Sequence, residues 1–184
     1  MEANYGPGNR GGGSVAVLEL GVEAPASIQV RSSAFEPGRR IPDRFTAYDE
    51  GISPPLSWSG VPPGTRSLVL IMEDPDAPIG EPFVHWLMYN IPPETMSLPE
   101  GVPEEPRLDD PPGALQGMNS RGSIGYFGPR PPKGDPPHHY HFQVFALDTE
   151  LRLLPGADRH TLAEAMSGHV LAKGELVGTV QKKR

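Results

Sequence analysis

Proline and glycine decide where this chain can form regular structure. Of the 184 residues, 24 are proline and 22 are glycine, and a share this large begins to suggest disorder when it follows no period. Both residues are nevertheless absent from four stretches: residues 65–74, 83–91, 138–154 and 157–167. The breakers bound the apolar segments instead of interrupting them, and this placement predicts a folded chain with well-defined elements.

Three of these stretches predict β-strands. Residues 66–74 (RSLVLIMED) and 83–91 (FVHWLMYNI) are nearly continuous apolar runs of strand length, typical of central strands that are covered on both faces. Residues 138–148 (HHYHFQVFALD) are rich in aromatic side chains and predict a third strand. Shorter strands are predicted at residues 27–32 and 175–180.

One segment predicts a helix. Thr161 and Glu164 are spaced as in a capping box, in which a Thr and a Glu three residues later satisfy each other's backbone N–H groups. Helical spacing then relates four residues: Leu162, Met166, His169 and Val170. Gly174 is expected to end this helix.

Strands outnumber helices in this reading and no regular βαβ alternation occurs, so the sequence predicts a mainly β fold. Residues 15–184 are expected to form a single domain. Residues 1–14 (MEANYGPGNRGGGS) have almost no apolar content and are expected to form a flexible tail. Residues 92–122 are acidic and interrupted by proline, and they are expected to form a long surface excursion.

Charge and composition exclude several classes of protein. The net charge is −7 and no long basic run is present, which argues against a dedicated nucleic-acid binder, because phosphate neutralisation needs clustered Lys and Arg. The lack of cysteine excludes disulfides, thiol catalysis and thiolate metal sites. Neither a signal-type segment nor an apolar run of ~20 residues occurs, so a cytoplasmic protein with no membrane span is expected.

Side chains capable of chemistry lie at the ends of the predicted strands. Asp74 and Asp76 follow the first central strand, where the intervening proline favours extended backbone and both carboxylates can point to one side. His85 lies in the next strand, where an Asp is the expected partner for its imidazole. By the period of two, His85 shares its face with four apolar residues: Phe83, Leu87, Tyr89 and Ile91. His138 and Tyr140 share a face of the third strand.

Each of these features also has an ordinary structural explanation. A segment Asp-Pro-Asp after a strand is more often only a turn, and a histidine in a buried strand is more often a hydrogen-bonded core residue than a ligand-binding one. The proline-rich loop of residues 128–137 can be a rigid connector. Trp58 and Trp86 are expected to be core aromatics.

Taken together, the motifs resemble the phosphatidylethanolamine-binding protein family, most closely its bacterial Raf kinase inhibitor-like branch. The resemblance covers most of the chain, and the order and spacing of its motifs are specific. The segments that carry it are residues 53–58 (SPPLSW), 74–78 (DPDAP), 85–86 (HW), 90–92 (NIP), 125–129 (GYFGP), 131–134 (PPKG), 138–140 (HHY), 146–148 (ALD) and 168–176 (GHVLAKGEL).

The resemblance implies a central antiparallel β-sheet with a second smaller sheet and few peripheral helices. It also implies a binding protein, not an enzyme, with a small pocket for phosphate or phospholipid head groups and no cofactor. The pocket residues carried over by position are Asp74, Asp76, His85, Gly128, Pro129, His138 and Tyr140. The family further suggests regulation of a partner kinase or protease, and relatives of this type make a homodimer an expectation to test.

The pocket residues assigned by resemblance raise two further questions, one about position 139 and one about charge. Many members of the family have Arg between the His and the Tyr of the last motif, whereas this chain has His139. Two carboxylates beside an anion also repel it, so we expect Asp74 and Asp76 to raise the pKa of His85 or His138. The Gly128 loop and the Tyr140 hydroxyl would then donate hydrogen bonds to the ligand. A metal-assisted phosphoester hydrolase that uses the same Asp/His cluster is the alternative.

Overall fold

The structure is a computed structural model that describes residues 14–183. The predicted tail, residues 1–14, lies outside the described residues except for Ser14. Strands dominate the described part of the chain, together with one short 3-10 helix at Asp43–Phe45. The elements in chain order are α1 (Ala16–Glu19), β1 (Gln29–Arg31), β2 (Leu56–Ser59), β3 (Ser67–Asp74), β4 (Phe83–Ile91), β5 (Ser97–Leu98), β6 (Leu115–Gln116), β7 (His138–Leu147), α2 (Arg159–Met166) and β8 (Val170–Val180).

The strands form two antiparallel sheets. The small sheet has the order β1-β2-β5, and the large sheet has the order β6-β4-β3-β7-β8. The predicted mainly β fold with a central antiparallel sheet and a second smaller sheet is therefore confirmed. The central strands β3 and β4 correspond to the two apolar runs, and β4 has the predicted bounds.

Both faces of the large sheet are covered. One face packs against the small sheet, and this core includes Trp58, Trp86 and Phe142. The opposite face packs against the two helices, with Leu162 and Met166 of α2 in contact with the sheet. Every residue of β3 is buried, which explains why this strand reads as a continuous apolar run instead of an alternating one. Both tryptophans are core aromatics, as predicted.

The helix prediction is wrong at both ends. Asp158, not Thr161, caps α2, because the Asp158 carboxylate accepts the backbone N–H of Thr161 at 2.9 Å. The helix ends at Met166, and residues from Val170 onward form β8. Gly174 consequently lies inside a strand instead of ending a helix.

Close packing explains the glycine at position 174. A Cβ atom at Gly174 would lie 1.8 Å from the carbonyl oxygen of Ile28, well inside van der Waals contact. The residue before it accepts a hydrogen bond that joins these segments, from the Ile28 N–H to the Lys173 carbonyl at 3.1 Å. Glycine here allows the segment leading into β1 to lie directly against β8.

Most of residues 92–122 lie at the surface, as the sequence predicts, but the segment is also part of both sheets. They supply β5 and β6 to the two sheets. Val102, Leu108 and Ala114 are buried in the core between the sheets. Apolar side chains spaced along this segment fix it to the molecule despite its prolines and acidic residues.

In the part of the chain that the structure describes, no helix is long and apolar enough to cross a membrane.

Candidate functional site

Antiparallel pairing brings three of the predicted motifs to one end of the large sheet. β3 ends at Asp74, where its neighbours β4 and β7 begin with Phe83 and His138. Because adjacent antiparallel strands run in opposite directions, the end of one lies beside the start of the next. The Asp-Pro-Asp, His85 and His-His-Tyr motifs therefore meet in space although they are far apart in the sequence.

A β-bulge in β4 sets the position of His85. The register pairs Met72 with Trp86 and the next residue, Glu73, with Val84, so His85 is an extra residue between two consecutive pairs. A bulge interrupts the alternation of faces and re-aims the side chain at that point.

The bulge aims the imidazole of His85 toward the core between the sheets. The His85 ring lies edge-on to the ring of Tyr140, with 5.2 Å between centroids. Tyr140 belongs to the core between the sheets, whereas Leu87 and Tyr89 belong to the core under the helices. The predicted face, with Leu87 and Tyr89 as neighbours of His85, is therefore wrong.

The two carboxylates after β3 are fixed by the local turn. The backbone N–H of Asp76 donates to the Asp74 carboxylate at 2.8 Å. Asp74 and Asp76 are both buried, and each is directed at a histidine near the start of β7. The two carboxylates do converge on one region, but each has a different histidine as its partner.

His138 bonds to two carboxylates at once. Its Nδ1 donates to Asp74 at 2.7 Å and its Nε2 donates to Asp135 at 2.9 Å. Burial lowers the pKa of His138, but the hydrogen bonds to Asp74 and Asp135 and the negative charges of Asp74 and Asp76 outweigh burial and raise the pKa to about 8. His138 is thus the imidazole whose pKa the carboxylates raise, and it is mainly protonated at neutral pH.

Asp76 pairs with His139. One oxygen of its carboxylate accepts the backbone N–H of His139 at 2.7 Å and the ring Nδ1–H at 2.8 Å. The other oxygen, Oδ1, is buried and has no hydrogen-bond partner among the described residues. His139 therefore occupies one oxygen of Asp76, and the other oxygen lacks a donor among the described residues.

His85 has a backbone partner instead of the expected aspartate. Its Nδ1 lies 2.6 Å from the carbonyl oxygen of Phe127, and because a carbonyl only accepts, Nδ1 carries the proton. Burial lowers the pKa of His85 to about 4 despite that hydrogen bond. The expectation of a raised pKa is wrong for His85, which is a neutral imidazole whose Nε2 bears a lone pair.

Tyr140 has a buried hydroxyl without a hydrogen-bond partner in the described part of the chain. Burial and the negative charge of Asp74, whose carboxylate lies near the hydroxyl without meeting hydrogen-bond geometry, raise the pKa of Tyr140. The hydroxyl therefore stays protonated and is a donor. The Tyr140 ring lies between two imidazoles, 5.2 Å from His85 and 6.5 Å from His138. His138 and Tyr140 thus share one face of β7, as predicted.

Gly128 and Pro129 follow Phe127, the hydrogen-bond partner of His85, and contact the backbone of residues 45–47. A Cβ atom at Gly128 would lie 2.7 Å from the backbone nitrogen of Ala47, so only glycine fits there. The Pro129 carbonyl accepts the Ala47 N–H at 2.9 Å. Among the described residues, the Gly128 N–H makes no hydrogen bond, and its role as a backbone donor to a ligand stays a prediction.

Sequence reasoning missed two contributors to this cluster. Asp135 lies in the proline-rich loop, and a carboxylate three residues before a histidine is a common turn pattern with no functional signal of its own. Phe127 contributes a carbonyl and also a ring, stacked 5.6 Å from His85 at an interplanar angle of 2°. A ring contact of this kind depends on the bulge and cannot be predicted from spacing.

The cluster offers both donors and acceptors to a ligand. Among residues 14–183, the donors without a partner are the Tyr140 hydroxyl and the Gly128 N–H, and the acceptors without a partner are His85 Nε2 and Asp76 Oδ1. Within residues 14–183, no three His, Asp or Glu side chains are grouped so that they could hold a metal ion. The metal-assisted hydrolysis alternative therefore has no observation in its favour.

The fold consists of two β-sheets, and one end of the large sheet carries a cluster of hydrogen-bond donors and acceptors. Together these features are typical of a ligand-binding β protein. The profile of the phosphatidylethanolamine-binding protein family matches residues 31–181. The chain is also 48% identical over 163 residues to a UPF0098 protein of Pyrococcus horikoshii, covering 89% of this chain and 81% of that protein. This chain belongs to the phosphatidylethanolamine-binding protein family.

Solved structures agree with the family assignment. A phosphatidylethanolamine-binding protein homologue from Chlamydia trachomatis superposes with a TM-score of 0.75 at 42% identity, over 85% of this chain and 99% of that one. Escherichia coli YbcL, described as a member of the mammalian family, superposes with a TM-score of 0.79 at 34% identity, over 86% of this chain and all of that one. The resemblance inferred from the motifs is therefore confirmed.

Proposed function

We propose that the cluster at the end of the large sheet binds a phosphoryl group, either as phosphate or as the head group of a phospholipid. The ligand-binding residues would be Asp74, Asp76, His85, Gly128, Pro129, His138 and Tyr140. The observation that carries the proposal is the unpartnered Tyr140 hydroxyl, which is fully buried beside two imidazoles.

A buried hydroxyl without a partner costs free energy, on the order of 1–3 kcal/mol. A phosphoryl oxygen that accepts from Tyr140 would remove that cost, and the Gly128 N–H would donate to the same group. Charge-assisted bonds of this kind are stronger than neutral ones. The protonated imidazole of His138 supplies the positive charge that the site needs beside its carboxylates.

Two acceptors restrict the ligand further. Asp76 Oδ1 is buried and lacks a donor among the described residues, and the Nε2 lone pair of the neutral His85 imidazole can accept a further hydrogen bond. A fully ionised phosphate provides only acceptors, whereas a protonated phosphate or a head group with an ammonium provides donors as well. The site therefore favours a phosphomonoanion or a zwitterionic group such as phosphoethanolamine.

Substituting Tyr140 with phenylalanine tests the proposal. Tyr140→Phe removes the donor and keeps the ring in the core, so affinity for O-phosphoethanolamine at pH 7 should fall about tenfold, the value of one lost hydrogen bond. Isothermal titration calorimetry of the full chain measures this. The matched control is Tyr89→Phe, which removes a buried tyrosine hydroxyl bonded to the Leu154 carbonyl on the other face of the sheet.

Equal affinity of the Tyr140→Phe protein and the unchanged protein would contradict the assignment of Tyr140. A loss of the same size in Tyr89→Phe would show that general loosening of the sheet, not a ligand contact, lowers the affinity. Failure of the unchanged protein to bind either inorganic phosphate or O-phosphoethanolamine would contradict the proposed function as a whole.

Regulation of a partner kinase or protease and a homodimer are proposed on the family resemblance alone, as what such proteins do as a class. A cytoplasmic location is proposed from the sequence pattern alone. None is supported by a particular contact among the residues described above.

A further inference from the structure

One carboxylate of the cluster stands where a ligand would bind. Asp135 accepts a hydrogen bond from His138 Nε2 at 2.9 Å, while His138 Nδ1 is held by Asp74. The Nε2–H group is therefore the one remaining N–H that this imidazolium can donate to a bound anion. Asp135 already occupies it, with an oxygen of the charge and hydrogen-bonding type that a phosphoryl oxygen would present.

Asp135 differs from the other two carboxylates in how it is held. Asp74 and Asp76 are buried at the end of β3. The Asp135 side chain is 29% exposed, and the residue lies between Gly134 and proline in a loop without regular structure. A carboxylate that already touches solvent can turn outward without leaving a charge stranded in the core.

The loop that carries Asp135 is restrained by the end of the chain. The Gly134 N–H donates to the Lys182 carbonyl at 3.1 Å, and the Gln181 side chain donates to the Asp135 carbonyl at 3.2 Å. These contacts hold the backbone beside His138, and in the part of the chain that the structure describes the carboxylate itself is bonded only to the imidazole. The side chain is thus positioned by the backbone and is free to rotate away.

We propose that Asp135 is a built-in competitor that occupies the His138 Nε2 position and must turn outward before a phosphoryl group can bind there. The inference rests on the proposed function of the cluster. Asp135 would then be a determinant of ligand affinity. When a side chain of the protein occupies the binding position most of the time, the apparent affinity for the ligand is reduced in proportion to the fraction of molecules in which the position is free.

Removing the competitor should strengthen binding. Calorimetric titration of the full chain at pH 7 compares the unchanged protein with Asp135→Ala, using inorganic phosphate and O-phosphoethanolamine as separate probes. Asp135→Ala is expected to bind about tenfold more tightly, as for loss of one charge-assisted competitor. Asp135→Asn, which keeps a hydrogen-bond acceptor but no charge, is expected to lie between the two.

Asp109→Ala is the control for the change in net charge, because Asp109 is exposed and distant in sequence from the cluster. It should leave affinity unchanged within about twofold, since salt screens an exposed charge that makes no contact with the ligand. A gain with both probes assigns the displaced position to the phosphoryl group that they share. A gain confined to O-phosphoethanolamine supports displacement by a head group.

Equal or weaker binding by Asp135→Ala, with measurable binding by the unchanged protein, would overturn the role of Asp135 and leave the proposed function standing. Absence of binding in every variant would overturn the proposed function and, with it, this inference.

Discussion

His138 shows how two neighbours determine the behaviour of one side chain. Its imidazole lies 2.7 Å from Asp74 and 2.9 Å from Asp135, and these carboxylates raise its pKa to about 8 against the opposing effect of burial. His85, in contact with the same Tyr140 ring, has a carbonyl partner and a pKa lowered to about 4 by burial. Two histidines in one cluster are thus held in opposite protonation states at neutral pH.

The pKa of His138 predicts a specific pH dependence of stability. The value is about 6.5 in the unfolded chain and about 8 in the folded one, so the proton stabilises the fold fully below pH 6.5. That contribution is lost as the pH rises through 8, and it amounts to about 2 kcal/mol. Asp74→Asn should lower the pKa of His138 and remove much of this dependence, as measured by NMR titration of the imidazole and by urea unfolding between pH 6 and 9.

Asp109→Asn removes the same charge from an exposed loop position and serves as the control. It should leave the His138 titration in place. If the His138 imidazole titrates at the same pH in Asp74→Asn and in the unchanged protein, the contact with Asp74 does not raise the pKa of His138. That result would contradict the electrostatic role given to Asp74.

At the residue scale, sequence motifs predicted which side chains meet but not how they pair. Asp74, His85, His138 and Tyr140 do lie together, because strand ends and the period of two follow from local pattern. The pairing of Asp76 with His139 and of His85 with Phe127 depends on turn geometry and on a bulge. Neither leaves a periodic signal in the sequence.

Among the elements, α1 is held in place by hydrogen bonds to side chains of the large sheet. It has only four residues, too few to be stable alone. The Ala16 N–H donates to the Glu73 carboxylate at 2.8 Å, and the Val17 N–H donates to the Gln143 side chain at 2.7 Å. Glu73 is fully buried in β3 and also accepts from Arg159 of α2 at 2.6 Å. One carboxylate therefore joins both helices to the sheet.

Removing the Glu73 carboxylate should lower the free energy of unfolding. Glu73→Gln leaves Arg159 without its buried counter-charge, and the free energy of unfolding should fall by about 3 kcal/mol. Glu19→Gln is a matched control, because Glu19 is bonded to the same arginine at 3.1 Å but is 42% exposed. Its effect should stay below about 1 kcal/mol. Urea unfolding at pH 7 measures both, and similar losses in the two variants would contradict the role given to Glu73.

The elements that the sequence predicts well are those with a strong period and clear breakers. β3, β4 and β7 lie where the apolar runs place them. The end of α2 was not predictable, because Leu162, Met166 and Val170 fit a helical period although β8 begins at Val170. Pairing of β8 along the whole of β7 stabilises the strand, and this tertiary effect outweighs the local pattern.

On the scale of the whole molecule, the high proline and glycine content serves close packing. Gly128 lies against the backbone of residues 45–47, and Gly174 lies against Ile28. Residues 92–122, rich in proline, supply strands to both sheets. The composition that suggests disorder in the sequence therefore builds close contacts between the sheets and the loops around the cluster.

Family membership and fold are established at this scale, whereas the ligand is a proposal. Relatives and solved structures match most of the chain. The cluster supplies the chemistry: protonated His138, neutral His85, the Tyr140 hydroxyl without a partner among the described residues, and the Asp135 carboxylate bonded to His138 Nε2. These features together predict a phosphoryl ligand and the rearrangement that admits it.

The most direct test is a crystal structure of the full chain soaked with O-phosphoethanolamine at pH 7. The account predicts a phosphoryl group within hydrogen-bond distance of the Tyr140 hydroxyl, the Gly128 N–H and His138 Nε2, with the Asp135 carboxylate turned away from the imidazole. A cluster without ligand and with the contact between Asp135 and His138 intact, at a ligand concentration that saturates binding in solution, would contradict the central claim.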